Sequence, residues 1–173
     1  MSSDFIVRRA TVADASVIAR HRAEMFRDMG ALPDDLNAAL VADATRRLEI
    51  AVASGEYVGW LAAAATAPAE TIAGAGVHRR LILPHPIAKA GRTVVAAGDQ
   101  GLVVNVFTER QWRRRGVARL LMQHVIAWAA GAGLDTLVLH ASDEGRALYE
   151  ALGFVATNEM RYAGDLSRPQ KSN

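Results

Sequence analysis

Residues 103–122 read VVNVFTERQWRRRGVARLLM, and this stretch decides the fold. It begins with an apolar run, Val103, Val104, Val106 and Phe107. It then crosses a polar turn and enters a segment with Val117, Leu120, Leu121, Val125 and Trp128 at helical spacing. The pattern predicts a strand over 102–108 and a helix over 115–130, ending at Gly131-Ala132-Gly133. At the junction stands Arg113-Arg114-Arg115-Gly116-Val117-Ala118. A glycine lets backbone approach a ligand with no Cβ in the way. The free amides of a helix's first turn and the helix dipole favour an anion there. Strand, glycine turn, helix start and arginines together describe a phosphate-binding site. The plainer alternative is a solvated arginine cluster on an exposed helix start.

A second motif lies downstream: Leu148-Tyr149-Glu150-Ala151-Leu152-Gly153-Phe154. The two motifs, in this order with the apolar strand Leu137-Val138-Leu139 between them, resemble the signature of the GNAT superfamily of N-acetyltransferases. Arg113, Gly116 and Ala118 match that family's coenzyme-A loop, which has Arg or Gln, two residues, Gly, one residue, then Gly or Ala. Gln111-Trp112 departs from it, since many members carry Pro and an aromatic residue there. The resemblance covers about residues 4–163, most firmly 101–162. It implies a GNAT (acyl-CoA N-acyltransferase) fold in the α+β or α/β class. That fold has a mixed, mostly antiparallel sheet with helices on both faces and a splayed parallel strand pair.

Composition is consistent with one globular domain over 1–173: 173 residues, 51% hydrophobic and 22% charged. Its core would span about 4–163, with a disordered tail over 167–173. The formal net charge of +2 is too small to imply nucleic acid by itself. Lys89 and Lys171 are the only lysines, so nearly all the positive charge is arginine, which suits bidentate phosphate contacts. The absence of cysteine excludes a disulfide framework, a thiolate nucleophile and a Cys-based zinc site. The opening MSSDFIVRRA lacks the apolar core of a signal peptide, and the alanine-rich run at 61–65 is too short to span a membrane. A cytoplasmic protein that binds neither nucleic acid nor membrane is the expectation.

Elsewhere the chain predicts a strand over 5–7. Thr11, with Asp14 as capping-box partner, starts a helix over 12–29 that Gly30 ends. A second helix opens at Pro33-Asp34 and stops at Gly55, with Leu36, Leu40, Ala44, Leu48 and Val52 four apart. Strands follow over 59–64 and 71–83. Pro84-His85-Pro86 ends the second of them, and residues 84–100 read as a long loop rich in Gly and Ala. The run at 137–139 reads as a strand buried on both faces. Ser142 caps a short helix ended by Gly153, and a final strand is predicted over 154–162. Trp60 and Trp128 read as core, and His124 and His140 are too scattered for a metal site.

The resemblance implies acetyl-CoA as cosubstrate, no metal, and direct attack by a primary amine of a small molecule or peptide. The backbone of Arg114, Arg115, Gly116, Val117, Ala118 and Arg119 would cradle the pyrophosphate, with Arg113 and Arg114 adding charge. Val106 and Thr108 would pair with the peptide-like pantetheine, and the amide near Val106 would stabilise the tetrahedral oxyanion. Ser142 would contact pantetheine, or would only cap its helix. Tyr149 would contact the cofactor and protonate the leaving thiolate as general acid. The general base is open among Glu24, His78, His21, Glu109 and a water held by Asn105. A non-catalytic acyl-CoA-binding sensor is the alternative reading. The resemblance also leaves a homodimer open.

Overall fold

A computed structural model describes residues 4–163. Packing divides the described residues into two compact units, 4–140 and 141–163. The expected tail over 167–173 lies outside the described residues.

The first unit is built on a five-stranded sheet in the order β1-β2-β3-β6-β7. Its strands are β1 (Phe5–Arg9), β2 (Tyr57–Ala64), β3 (Ala67–Leu81), β6 (Asp99–Thr108) and β7 (Thr136–Leu139). All neighbours are antiparallel except β6 and β7, which run parallel. This is the mixed sheet expected of the GNAT fold. Helices α1 (Ala15–Asp28) and α2 (Asn37–Ser54) cover one face, where Tyr57 and Leu61 of β2 pack with Ile18, Ala19, Ala44 and Leu48. Helix α3 (Val117–Gly131) covers the other, where Trp60 meets Trp128 edge-on at 5.5 Å. The alternation of side chains along β2 separates the two layers.

Local signals explain the helix ends. The Thr11 amide donates to Asp14 Oδ2 at 2.8 Å, and a short 3-10 turn over Val12–Asp14 leads into α1. Arg8 clamps the same carboxylate at 2.7 and 2.8 Å and holds the Asp14 pKa down at about 2. Gly55, at φ 76°, closes α2 in the left-handed conformation.

Two expectations need correction. Residues 84–100 are not a long loop: β4 (His85–Lys89) and β5 (Arg92–Ala96) form a separate antiparallel hairpin, and β6 already begins at Asp99. Both strands of a two-stranded ribbon are edges, so Pro86 costs no central ladder bond. Ala90 (φ 50°) and Gly91 (φ 75°) make the turn, both left-handed as a tight hairpin of this hand requires. Residues 154–162 form no strand, because periodicity cannot supply the neighbour that a ladder needs. Along this run Val155 and Met160 are 81% and 94% exposed. In addition, β7 is half-buried rather than buried on both faces, since it closes the sheet as an edge strand.

Candidate functional site

The site is built along β6. Its first half, Gln100–Val103, is paired with β3 on one side and with β7 on the other. Pairing with β7 stops at Val103–Leu139, while β6 runs on to Thr108 against β3 alone. The parallel pair therefore parts, and one edge of Val104–Thr108 has no neighbouring strand among the described residues. Between Val104 and Phe107 the register with β3 also shifts, with Asn105 and Val106 opposite Ala75. This is a β-bulge, and Asn105 sits in it at φ 56°. Asparagine is among the few side chains that tolerate the left-handed region.

Two side chains, Arg22 and Tyr57, hold the bulge at Asn105. Arg22 Nη1 donates to Asn105 Oδ1 at 2.8 Å. Asn105 Nδ2 donates to the Tyr57 hydroxyl at 3.3 Å. Tyr57 lies where β3 has Gly76, and a Cβ there would stand 2.0 Å from the Tyr57 oxygen. Burial pushes the Tyr57 pKa up to about 12, so it is a neutral phenol at pH 7. His78 stands edge-on to Tyr57 at 5.2 Å, half-buried, with its pKa lowered by burial.

Further along, His21 packs at 5.0 Å from Phe107 and is 1% exposed. Burial, with the Arg20 charge adding, pushes its pKa down to about 4 against the opposing pull of Glu109. Glu109 accepts from Arg20 at 3.0 Å and from Gln111 at 3.1 Å. His21 Nδ1 and Thr108 Oγ1 are buried with no hydrogen-bond partner among the described residues.

The glycine turn then follows. Arg113 Nε donates to the Thr108 carbonyl at 2.9 Å, and its Nη2 pairs with Asp28 at the end of α1. Arg110 donates to the same carboxylate at 2.5 and 3.1 Å. Burial raises the Asp28 pKa, but these two guanidinium partners outweigh it and hold it low. Arg113 is thus spent on fixing the loop to α1. Arg114 (φ 63°) and Gly116 (φ 83°) are both left-handed, and Arg115 lies 4.9 Å over the Trp112 ring. Helix α3 starts at Val117, two residues later than its apolar spacing predicts, because Gly116 is its N-cap. No side chain caps it, and its first helical bond runs from Leu120 to the Gly116 carbonyl. The amides before Leu120 have no partner within the helix. A Cβ on Gly116 would meet nothing within 4 Å, so the space beside it is open.

The first unit thus joins Val106, Thr108 and Arg113 to Arg119 on one continuous path. Of the predicted bases, His78 lies beside Tyr57, whereas Glu24 is half-buried and pairs with Arg27 at 3.2 Å. In the second unit, α4 (Asp143–Glu150) carries Ser142 at its start, where its Oγ accepts from the Gly145 amide at 3.2 Å. Tyr149 is near the end of α4, edge-on to Phe154 at 6.0 Å, with its pKa raised by burial. Tyr57 and the pairing of Asp28 with the loop escape sequence reasoning, since both depend on partners many residues away. No group of three or more His, Asp or Glu among the described residues is arranged to hold a metal. No described helix is long and apolar enough to cross a membrane.

Comparison with known proteins points the same way. Residues 87–167 match the family model of the acetyltransferase (GNAT) domain. A GCN5-related N-acetyltransferase from Ralstonia eutropha JMP134 superposes with a TM-score of 0.79 at 28% identity, covering 91% of this chain and 97% of that one. A predicted acetyltransferase with acetyl-CoA from Clostridium acetobutylicum shares the fold, with a TM-score of 0.74 at 24% identity over 92% and 96% of the two chains. The mycothiol acetyltransferase of Clavibacter sepedonicus is 36% identical over 70 residues, which is 40% of this chain but only 23% of that protein's length. The matched domain, the sheet with its parting parallel pair and these likenesses together support a GNAT superfamily acetyltransferase.

Proposed function

We propose that the chain transfers an acetyl group from acetyl-CoA to a primary amine of a small molecule or peptide, by direct attack within a ternary complex. The observation that carries this reading is the half-paired β6, open from Val104 to Thr108 and leading into an uncapped helix start at Gly116. A peptide-like pantetheine adds to such an edge as a strand would, and a pyrophosphate suits the free amides of the turn. The orphan Thr108 hydroxyl and the open space beside Gly116 fit that ligand.

Within this reading the residues divide the work. The Val106 amide, turned by the bulge, stabilises the oxyanion that develops on the thioester carbonyl. Arg114, Arg115 and Arg119 add charge beside the pyrophosphate, while Arg113 positions the loop. His78, neutral at pH 7 because burial lowers its pKa, is able to accept the amine proton. Glu24 is the second candidate for that role. Tyr149 protonates the departing thiolate, and its raised pKa keeps the proton on until then. Ser142 contacts pantetheine from the start of α4.

Calorimetric titration with acetyl-CoA, with dephospho-CoA as comparison, tests the reading. One-to-one acetyl-CoA binding followed by thiol release with an amine supports it. Binding without turnover on any amine favours an acyl-CoA sensor, and no binding removes both. In an active enzyme, Tyr149→Phe is expected to lower kcat by about a hundredfold, in line with the loss of a general acid.

A further inference from the structure

We propose that Arg22 anchors an oxyanion on the acceptor, so that the preferred amines carry a carboxylate or phosphate group. This rests on the acetyltransferase reading above and names the acceptor class for the same site.

Arg22 reaches from α1 to the bulge of β6. Arg22 is half-buried, its guanidinium lies 4.8 Å over the Phe26 ring, and its one side-chain hydrogen bond among the described residues goes to the neutral Asn105 amide oxygen. Among the described residues no carboxylate pairs with it. The arginines around it differ in this respect. Arg20 pairs with Glu109, Arg27 with Glu24 and Asp34, and Arg110 and Arg113 with Asp28. A guanidinium carries five N–H donors, and one amide oxygen satisfies a single one of them. Withdrawing such a cation from water without a counter-charge costs free energy.

Its polar neighbours add no negative charge. Tyr57 stays a phenol, and His78 is neutral at pH 7. The result is a fixed positive charge in a neutral, partly dry setting, where its interaction with an anion is stronger than in water. The planar fork favours an oxyanion that can accept two parallel bonds. Asn105, which Arg22 holds, directly precedes Val106 on β6. An acceptor gripped at Arg22 is therefore held beside the amide proposed to stabilise the reacting carbonyl.

The test is a paired acceptor series with acetyl-CoA, read by thiol release. Amino acids are compared with their amides, and O-phosphoethanolamine with ethanolamine. The expected result is a kcat/KM preference of about tenfold or more for the oxyanion member of a pair, a difference of about 1.4 kcal/mol. Arg22→Met should abolish that preference mainly through KM, and Arg22→Lys should retain part of it. Which pair shows the preference tells carboxylate from phosphate. Preference for the neutral members, or a preference unchanged in Arg22→Met, overturns the proposal. Should no amine be acetylated, the CoA-loaded protein is titrated calorimetrically with the N-acetylated acids. Binding that Arg22→Met and Arg22→Lys weaken in that order upholds the anchor and overturns the acetyltransferase reading. Absence of binding overturns the anchor as well.

Discussion

The two halves of β6 belong to one strand yet serve opposite ends. From Gln100 to Val103 the strand is paired on both sides, and Gly101 is so closely packed that a Cβ would lie 2.9 Å from Leu134, Leu137 and Val77. From Val104 to Thr108 it loses β7 and bulges. It keeps a buried hydroxyl without a partner and is held by the directional bonds of Arg22, Asn105 and Tyr57. The first half is specified by shape, the second by polar geometry. A scaffold tolerates an unfinished edge at one end because the other end is closed on both sides. This contrast predicts stability effects in the first half and binding effects in the second.

The strongest break should come at the end of the open half. Gly116→Trp is expected to weaken acetyl-CoA binding by about a hundredfold or more, close to 3 kcal/mol, as judged by calorimetry. Its unfolding free energy should drop only by what a left-handed non-glycine residue costs, about 1–2 kcal/mol. Normal affinity would end the assignment of the phosphate loop. The mirror image is Gly101→Val in the closed half. It should destabilise by about 2 kcal/mol in denaturant unfolding through overpacking, with affinity for acetyl-CoA preserved in the folded fraction.

Asn105 sharpens the comparison within the bulge. Asn105→Ala strands the Tyr57 hydroxyl and the Arg22 guanidinium and puts a Cβ-bearing residue without polar compensation at φ 56°. It should cost about 2 kcal/mol, and Asn105→Gly about 1 kcal/mol less, because glycine accepts that conformation freely. Equal losses would mean that the backbone conformation is not part of the cost.

His21 makes the open half pH-sensitive. Its pKa is about 4 in the fold against 6.5 when free, so the unfolded chain binds more protons between those values. Stability should therefore fall as pH drops from 6.5 through 4, and His21→Leu should flatten that part of the profile. The smallest effect lies outside the sheet. Ala90→Gly relieves the left-handed strain of the β4–β5 turn and should raise stability by about 1 kcal/mol without altering acetyl-CoA affinity.

Much of this was legible in the chain. Apolar spacing located α1, α2 and α3, Gly55 marked a helix stop, and the run 103–122 announced strand, turn and helix in the right order. Trp60 and Trp128 read as core and do pack together. The β4–β5 hairpin was hidden because its turn uses alanine where glycine or asparagine is usual, and because Pro86 argued against a strand. The strand expected over 154–162 was misread for the opposite reason, since its residues suit a strand but a ladder depends on a neighbour. Arg22 stood in a mixed-charge helix with nothing to set it apart from Arg20 or Arg27. Only the positions of Glu109, Glu24, Asp34 and Asp28 show that the others are paired.

The sequence by itself determined the elements whose cause is local: helix periods, caps, glycine stops, and the arginine–glycine turn. Such features depend on residues within about one or two helical turns of one another. Tertiary structure alone decided where β6 parts from β7, that Asn105 sits in a bulge, that Arg113 is tied to Asp28, and that Arg22 has no carboxylate partner among the described residues. Each of these is a relation between segments far apart in the chain. The free energy of a buried charge or an unpaired strand edge is set by what the fold brings beside it.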